Sequence, residues 1–315
     1  MIKKYDSIMV TGASSMIGIS VLEYLNKFKQ DFNIIPVYHK DVNLLEKEEL
    51  ESFLLDNRID GIIHLAGYNG GIEWNRLYPA DIFYNTAQIA LNVLNAGQRF
   101  GAKKIISVLA SCSYPDQGDS VLEEDSLWRG ECNPSVECHG LSKRILEAYS
   151  RQISKQYATQ CISAVLTNCY GPHDSYHPQK TKVVGAMIKK IHDAVKNNIE
   201  EIEFWGDGSP LRELMYSKDA AECIVETFLH YEDTTKPINI GSNEEVSIKK
   251  LANTIAKALS YKGKIKWDTT KQNGQMRKKL NTEKMNSLFS FSPTPLEKGI
   301  KNTVDWFSYQ QGVNK

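Results

Sequence analysis

The sequence predicts an α/β protein with a parallel sheet covered by helices on both faces. Two observations predict it. Short β-rich runs alternate with runs of helical periodicity through the first half of the chain, as parallel strands joined by crossover helices require. A glycine-bearing turn, "TGASSMIG", sits at the first strand–helix junction, where such sheets carry one. The 315 residues suffice for one large domain, or a domain with a smaller lobe.

The elements follow in order. "SIMVTG" (7–12) reads as a buried strand, and "MIGISVLEYLNKF" places apolar residues at helical spacing after it. "NIIPVY" (33–38) is the second strand. "LLEKEELESFLLD" is a helix, and "GIIHLAG" (61–67) is the third strand. "ADIFYNTAQIALNVLNAGQRF" is a long helix and "KKIISVLAS" (103–111) the fourth strand. "LSKRILEAYSRQISKQY" is another helix, followed by the strand "CISAVLTN" (161–168). Beyond about residue 170 the alternation loosens into loops such as "YGPHDSYHPQKT" and "WGDGSPLREL". Two helical runs, "SIKKLANTIAKAL" and "PLEKGIKNTVDWFSYQ", close the chain. A smaller lobe is expected over 171–315. It is interwoven with residues 1–170 by a strand and helix returning from about 215–240.

Composition excludes several classes. Lysine plus arginine equals aspartate plus glutamate at 38 each, so the formal net charge is zero. No basic excess points to nucleic acid, and no acidic excess to a disordered tail. No apolar run reaches the ~18–20 residues of a membrane span. The opening "MIKKYDSIMVTG" lacks the apolar stretch and cleavage site of a leader. Cys112, Cys132, Cys138, Cys161, Cys169 and Cys223 match no zinc-ligand spacing and read as reduced thiols of a cytoplasmic protein. His173 and His177 lie in a loop rich in proline and glycine, with no cysteine or carboxylate cluster, so no metal site is expected.

The turn after strand one carries the first chemistry. Gly12 and Gly18 take the first and last positions of a TGxxGxxG pattern. Glycines there permit a tight turn and close approach of backbone to a pyrophosphate. The helix N-terminus adds N–H donors and a positive dipole end. Ser15 stands in the middle position and is expected to crowd that approach. The expected cofactor contacts are Gly12, Ser14, Ser15, Met16, Ile17 and Gly18, with Ala66 and Gly67 at the end of strand three. After strand two, NAD is usually met by an acidic residue and the phosphorylated ribose of NADP by basic ones. His39 and Lys40 favour NADP(H), while Asp41 follows at once and keeps NAD(H) open.

Five motifs, "TGASSMIG", "HLAGYNGGI", "ASCSYPD", "TNCYGPHDSYHP" and "WGDGSPLRE", fall in the order and near the spacing of the extended short-chain dehydrogenases. The chain resembles most closely the GDP-L-fucose synthases, from about residue 7 to 306. Those enzymes epimerise C3 and C5 of GDP-4-keto-6-deoxy-mannose and reduce C4 with NADPH. The resemblance implies a Rossmann doubly wound sheet with a smaller C-terminal nucleotide-sugar-binding lobe, commonly in a homodimer through two long helices. A GDP-sugar is the implied substrate. Arg212 would bind its diphosphate as a guanidinium fork. Trp205 would line the sugar-nucleotide site, Asn168 would lie near substrate and cofactor, and Lys278 near the nucleotide end. Lys190 takes the place of an arginine. Cys112 matches the acid/base cysteine of epimerisation. Lys143 matches the lysine that holds the nicotinamide ribose and lowers the pKa of a catalytic tyrosine.

The departures fall on the chemistry. The family's catalytic serine is Ala110 here, its catalytic tyrosine is His139, and the histidine that pairs with the cysteine is Lys182. Thr86 stands where an asparagine is usual. Ser111, a candidate substrate contact, would replace the lost hydroxyl only if the strand end shifted by one residue, which turns it to the other face. Ketone reduction needs a hydride and a proton for the developing alkoxide, and a placed proton donor is worth about 10²–10⁴-fold. Ala110 forms no hydrogen bond. His139 carries both a donor and an acceptor, is shorter than tyrosine, and stands one turn from Lys143, which disfavours the imidazolium. Epimerisation needs an acid and a base beside the ketone, for which Cys112 and Lys182 are the candidates. Three readings stay open. One is an NADP-linked enzyme on a GDP-activated 4-keto sugar, with His139 as proton donor. Another is an epimerase without net redox built on Cys112. The third is a non-catalytic nucleotide-sugar or dinucleotide-binding subunit.

Overall fold

The computed structural model describes residues 5–312 apart from 117, 119, 272 and 274. The first four residues of the opening read above for a leader lie outside them. In chain order the elements are β1 (Ser7–Thr11), α1 (Met16–Leu25), β2 (Asn33–Val37), α2 (Lys47–Asn57), β3 (Gly61–His64), α3 (Ile72–Leu77), α4 (Pro79–Arg99) and β4 (Lys104–Ala110). Next come α5 (Glu137–Gln156), β5 (Gln160–Leu166), β6 (Asn168–Tyr170), α6 (Val183–Lys196), β7 (Glu201–Trp205), β8 (Leu211–Tyr216) and α7 (Ser217–His230). The chain closes with β9 (Ile238–Ile240), β10 (Glu245–Ser247), α8 (Ile248–Ala258), β11 (Lys264–Asp268), α9 (Glu283–Leu288) and α10 (Leu296–Gln310).

Six parallel strands form the main sheet in the order β2-β1-β3-β4-β5-β9. Successive side chains leave a strand on opposite faces, and here both sets are apolar. Ile8, Val10, Ile63, Ile106 and Ile162 meet Val21 and Leu25 of α1 and Ile224 and Phe228 of α7. Met9, Ile62, Ile105 and Val165 meet Leu50 of α2, Val93 and Leu94 of α4, and Leu146 and Ile153 of α5. Two-sided burial is why these strands read as apolar runs. A second core lies beyond the sheet. There α6, α8 and α10 pack Ile188, Leu251, Ile255 and Phe307 against Leu214 and Tyr216 of β8 and Val246 of β10. The chain visits this region with β6 to β8, then returns to the main sheet through α7 and β9.

Two elements depart from the sequence reading. The fifth run stops at Leu166, and Asn168–Tyr170 leaves the main sheet to pair with β8. The helix expected from Leu141 begins at Glu137 instead, because a short turn capped by Asn133, whose side chain accepts Ser135 N–H at 3.1 Å, leads straight into it. His139 is therefore already helical and shares a face with Lys143.

Glu213 on β8 connects the two regions. Its carboxylate is fully buried and accepts Asn243 N–H at 2.8 Å and Leu280 N–H at 3.0 Å. Its own N–H donates to Lys278 O at 3.2 Å, and Thr167 Oγ1 donates to its carbonyl at 3.1 Å. A Cβ on Gly241 would lie 2.3 Å from Glu213 Oε1, so only glycine admits the carboxylate there. Burial pushes the Glu213 carboxyl pKa up, and the N–H donors oppose that rise. Glu213→Ala strands two buried N–H groups and is expected to destabilise the fold by about 3 kcal/mol. Glu213→Gln keeps one acceptor and should cost less than the alanine. Urea unfolding of both variants checks the order; equal losses would show that the acceptor is immaterial.

Candidate active site

The carboxyl ends of the parallel strands collect the candidate residues. The main sheet reverses its winding between β1 and β3, and the crevice at such a point is where open parallel sheets bind ligands. Gly12 leaves β1 at φ +69°, and a Cβ there would sit 2.9 Å from Ala66 N. The turn thus rests against the segment after β3. Thr11 Oγ1 accepts Leu65 N–H at 3.2 Å and Ala66 N–H at 3.3 Å, and lies 2.8 Å from His64 Nδ1. With its acceptor sites taken, the hydroxyl gives its hydrogen to Nδ1 and leaves the ring proton on Nε2. Burial, then Lys143, brings the His64 pKa down to about 3, so this ring is neutral.

Ser15 takes the middle position of the turn without a glycine conformation. Its φ of −76° and ψ of 161° are ordinary extended values that need no glycine. Its N–H donates to Gly12 O at 3.0 Å, and its Oγ caps α1 by accepting Gly18 N–H at 3.0 Å. A cap of this kind is worth about 1 kcal/mol. Gly18 is the obligatory glycine, since a Cβ there would lie 2.1 Å from Gly12 O. Ser14 is exposed beside the cap, while Met16 and Ile17 are half-buried against the core. His39 and Lys40 are exposed just past β2, whose end is held beside the turn by Ala13 N–H donating to Val37 O at 3.4 Å.

The other end of the crevice carries the reactive groups. β4 ends at Ala110, and a tight turn over Ser111–Ser113 presents Cys112. Helix α5 meets that turn so closely that a Cβ on Gly140 would lie 2.4 Å from Cys112 O. His139 Nδ1 lies 3.3 Å from Cys112 Sγ. One turn further on, Lys143 Nζ donates to Val108 O at 2.8 Å, on the side of Gly67, whose Cβ position lies 3.6 Å from it. Burial, then Lys143, Lys182 and Lys278, holds the His139 pKa well below the imidazole range. Burial likewise brings Lys143 down to about 8, with Cys112 opposing and Lys182 adding.

Beyond Cys112 the site is cationic. Burial lowers the pKa of Lys278, and Arg212 and Lys182 lower it further while Cys112 opposes. Arg212, on β8, is lowered by burial and donates Nη1 to Leu211 O at 2.7 Å. Lys182 is the exposed residue preceding α6. Among the described residues none of the three is in an ion pair, so they form a ready site for an anion. Ser111 is buried in its turn, and Asn168 opens β6 opposite Leu214. Trp205, 74% exposed, and Lys190 stand apart at β7. Lys190 Nζ donates to Glu203 O and lies 5.2 Å from the Phe204 ring.

One group escaped the sequence reading. Asp174, inside "TNCYGPHDSYHP", is half-buried; burial raises its pKa and Lys182 opposes, so it is the carboxylate facing that lysine. An acid between two histidines was the available signal. Thr86 is buried and donates to Tyr68 O at 2.8 Å, the role its hydroxyl takes at the position usually held by asparagine. Among the described residues, no group of three or more histidines, cysteines or carboxylates is placed to hold a metal, and no helix is long and apolar enough to cross a membrane.

Such a sheet, with a glycine turn at its switch point and a helix lysine behind the fourth strand, is that of a dinucleotide-binding protein of the extended short-chain dehydrogenase class. The chain belongs to the NAD dependent epimerase/dehydratase family, whose profile matches residues 8–241. It is 30% identical over 316 residues to GDP-L-fucose synthase of Escherichia coli (strain K12), covering 96% of this chain and 97% of that one. It is 33% identical over 306 residues to GDP-L-colitose synthase of Yersinia pseudotuberculosis, covering 95% and 97%. A solved GDP-L-fucose synthetase from Naegleria fowleri bound to NADP superposes with a TM-score of 0.89 at 28% identity, over 98% of this chain and 96% of that one.

The Lys143 pKa has a signature in stability. The unfolded lysine keeps its proton to about 10.5, whereas the folded one releases it near 8. Between those values the unfolded state binds more protons, so stability rises with pH there, by at most roughly 1.4 kcal/mol per pH unit. Lys143→Met is expected to lose that rise. Urea unfolding of both proteins across the window tests it, and parallel pH profiles would refute it.

Proposed function

We propose that the chain is an NADP(H)-dependent nucleotide-sugar epimerase/reductase acting on a GDP-4-keto-6-deoxy-hexose or a near relative. The observation that carries this is the place of Lys143, on the Gly67 side of α5 and one turn from the Cys112–His139 contact. It lies beside Gly67, next to the segment that packs on the glycine turn, and within electrostatic reach of Lys182. The tight turn that Gly12 and Gly18 allow packs on Ala66 and sets the N-terminus of α1 at the crevice, a position that suits a pyrophosphate. In this reading residues 1–170, with the return over about 215–240, hold the cofactor, and 171–315 hold mainly the sugar nucleotide.

When bound, NADP(H) supplies the hydride for C4. The protein does the rest. Gly12, Ser14, Ser15, Met16, Ile17, Gly18, Ala66 and Gly67 bind the dinucleotide, and His39 with Lys40 meets its 2′-phosphate. Lys143 orients the nicotinamide ribose. Arg212 and Lys278 take the substrate diphosphate, while Ser111, Asn168, Lys190 and Trp205 line the sugar and base. His139, neutral at physiological pH, donates to the C4 oxygen. Cys112 exchanges the proton on the neighbouring carbon, and Lys182 serves the opposite face.

A second reading, an epimerase without net redox, is favoured by Ala110. The reduction loses a hydroxyl and a phenol there, while the epimerisation cysteine stays. Incubation with NADPH and GDP-4-keto-6-deoxy-mannose separates the readings. NADPH absorbance is expected to fall, and to fall about 100-fold more slowly in His139→Ala, with NADPH still bound by calorimetry. Binding of both ligands without oxidation would select the redox-silent reading; binding of neither would overturn both.

A further inference from the structure

The Cys112–His139 contact joins two groups whose usual duties are separate. His139 stands where a phenol would serve the ketone oxygen, and Cys112 where a thiol would serve the carbon beside it. Here the two side chains touch, with Nδ1 at 3.3 Å from Sγ. The contact is held from both sides. Gly140 lets α5 press on the cysteine turn, and Ser142 Oγ donates to His139 O at 2.8 Å inside the helix. His139 is only 5% exposed. Lys143 does not compete for it, since its Nζ is bonded to Val108 O. Burial, with the surrounding lysines adding to it, keeps the ring neutral, with one donor and one acceptor nitrogen. If Nδ1 accepts the thiol hydrogen, Nε2 carries the ring proton.

We propose that Cys112 and His139 act as one proton-transfer couple that enolises a sugar ketone without building charge on it. The idea rests on the keto-sugar reading above. The carbon's C–H bond breaks and a new S–H bond forms. The old S–H bond breaks and Nδ1–H forms. The Nε2–H bond breaks, and its proton completes the O–H of the enol. No electrons are gained or lost, and the couple ends as a thiol and the other imidazole tautomer. This route suits a site in which Ala110 gives the ketone oxygen no hydrogen bond, because the enol needs no oxyanion support.

The test needs no sugar. Alkylation of Cys112 by iodoacetamide is followed on its own peptide by mass spectrometry in the full chain. With the imidazole to take its proton, Cys112 is expected to react about tenfold faster in the wild type than in His139→Phe or His139→Gln, with NADPH binding retained. Equal or faster alkylation of Cys112 in both variants overturns the couple. Should both variants lose NADPH binding, the ring nitrogens of the intact protein decide by ¹⁵N NMR. Nδ1 is expected to shift in Cys112→Ala, and an unmoved Nδ1 overturns the couple. Slowed alkylation together with no action on GDP-4-keto-6-deoxy-mannose would retire the proposed substrate and leave the couple standing.

Discussion

The close approach of α5 to the turn after β4 is what the site depends on. A single missing Cβ, at Gly140, lets the helix come within van der Waals reach of the Cys112 carbonyl. From that contact the rest follows by helical spacing. His139, one residue before the glycine, meets the cysteine, and Lys143, four residues after His139, reaches the end of β4. Both ends of the contact are rigid. β4 is buried between helices, and α5 is anchored through Leu146 and Ile153 in the layer it shares with α4.

Electrostatics then separates the duties of these groups. Lys143 and Lys278 lie within electrostatic reach of Cys112, and Lys182 and Arg212 of those lysines, with none of the four in an ion pair among the described residues. Burial already disfavours charge on His139, and the lysines add to it, so the ring is neutral, with one donor and one acceptor nitrogen. The same crowding leaves the cations poorly compensated in the free protein. A bound diphosphate would compensate them, so binding energy is available at the distance where the sugar must be oriented. Glu213 keeps this arrangement in register. One buried carboxylate holds the segments of Asn243 and Leu280, and its backbone N–H holds Lys278.

Much of this was legible in the sequence. The parallel sheet announced itself because its strands are apolar on both faces, and the glycine turn because pyrophosphate sites need room. Strand ends were less legible. The third run reads to Gly67, but the strand stops at His64 because the N–H groups of Leu65 and Ala66 turn to Thr11 Oγ1. Ser15 reads as a missing glycine, and the sequence does not reveal that its backbone is ordinary and its side chain caps the helix. The identities of Cys112, His139 and Lys143 were readable, and Ala110 as well. Their contact was not, because it depends on a helix start that no periodicity marks. The cations are a different case: Lys182, Arg212 and Lys278 come from three distant segments that no spacing unites, so only the resemblance pointed to them.

The Cys112–His139 contact calls for proton exchange beside a ketone. Proton NMR of GDP-4-keto-6-deoxy-mannose with the protein in D₂O, without NADPH, reads it. Loss of the C3 or C5 proton signal is the predicted result. Full retention of both signals, with the nucleotide sugar bound, would contradict it.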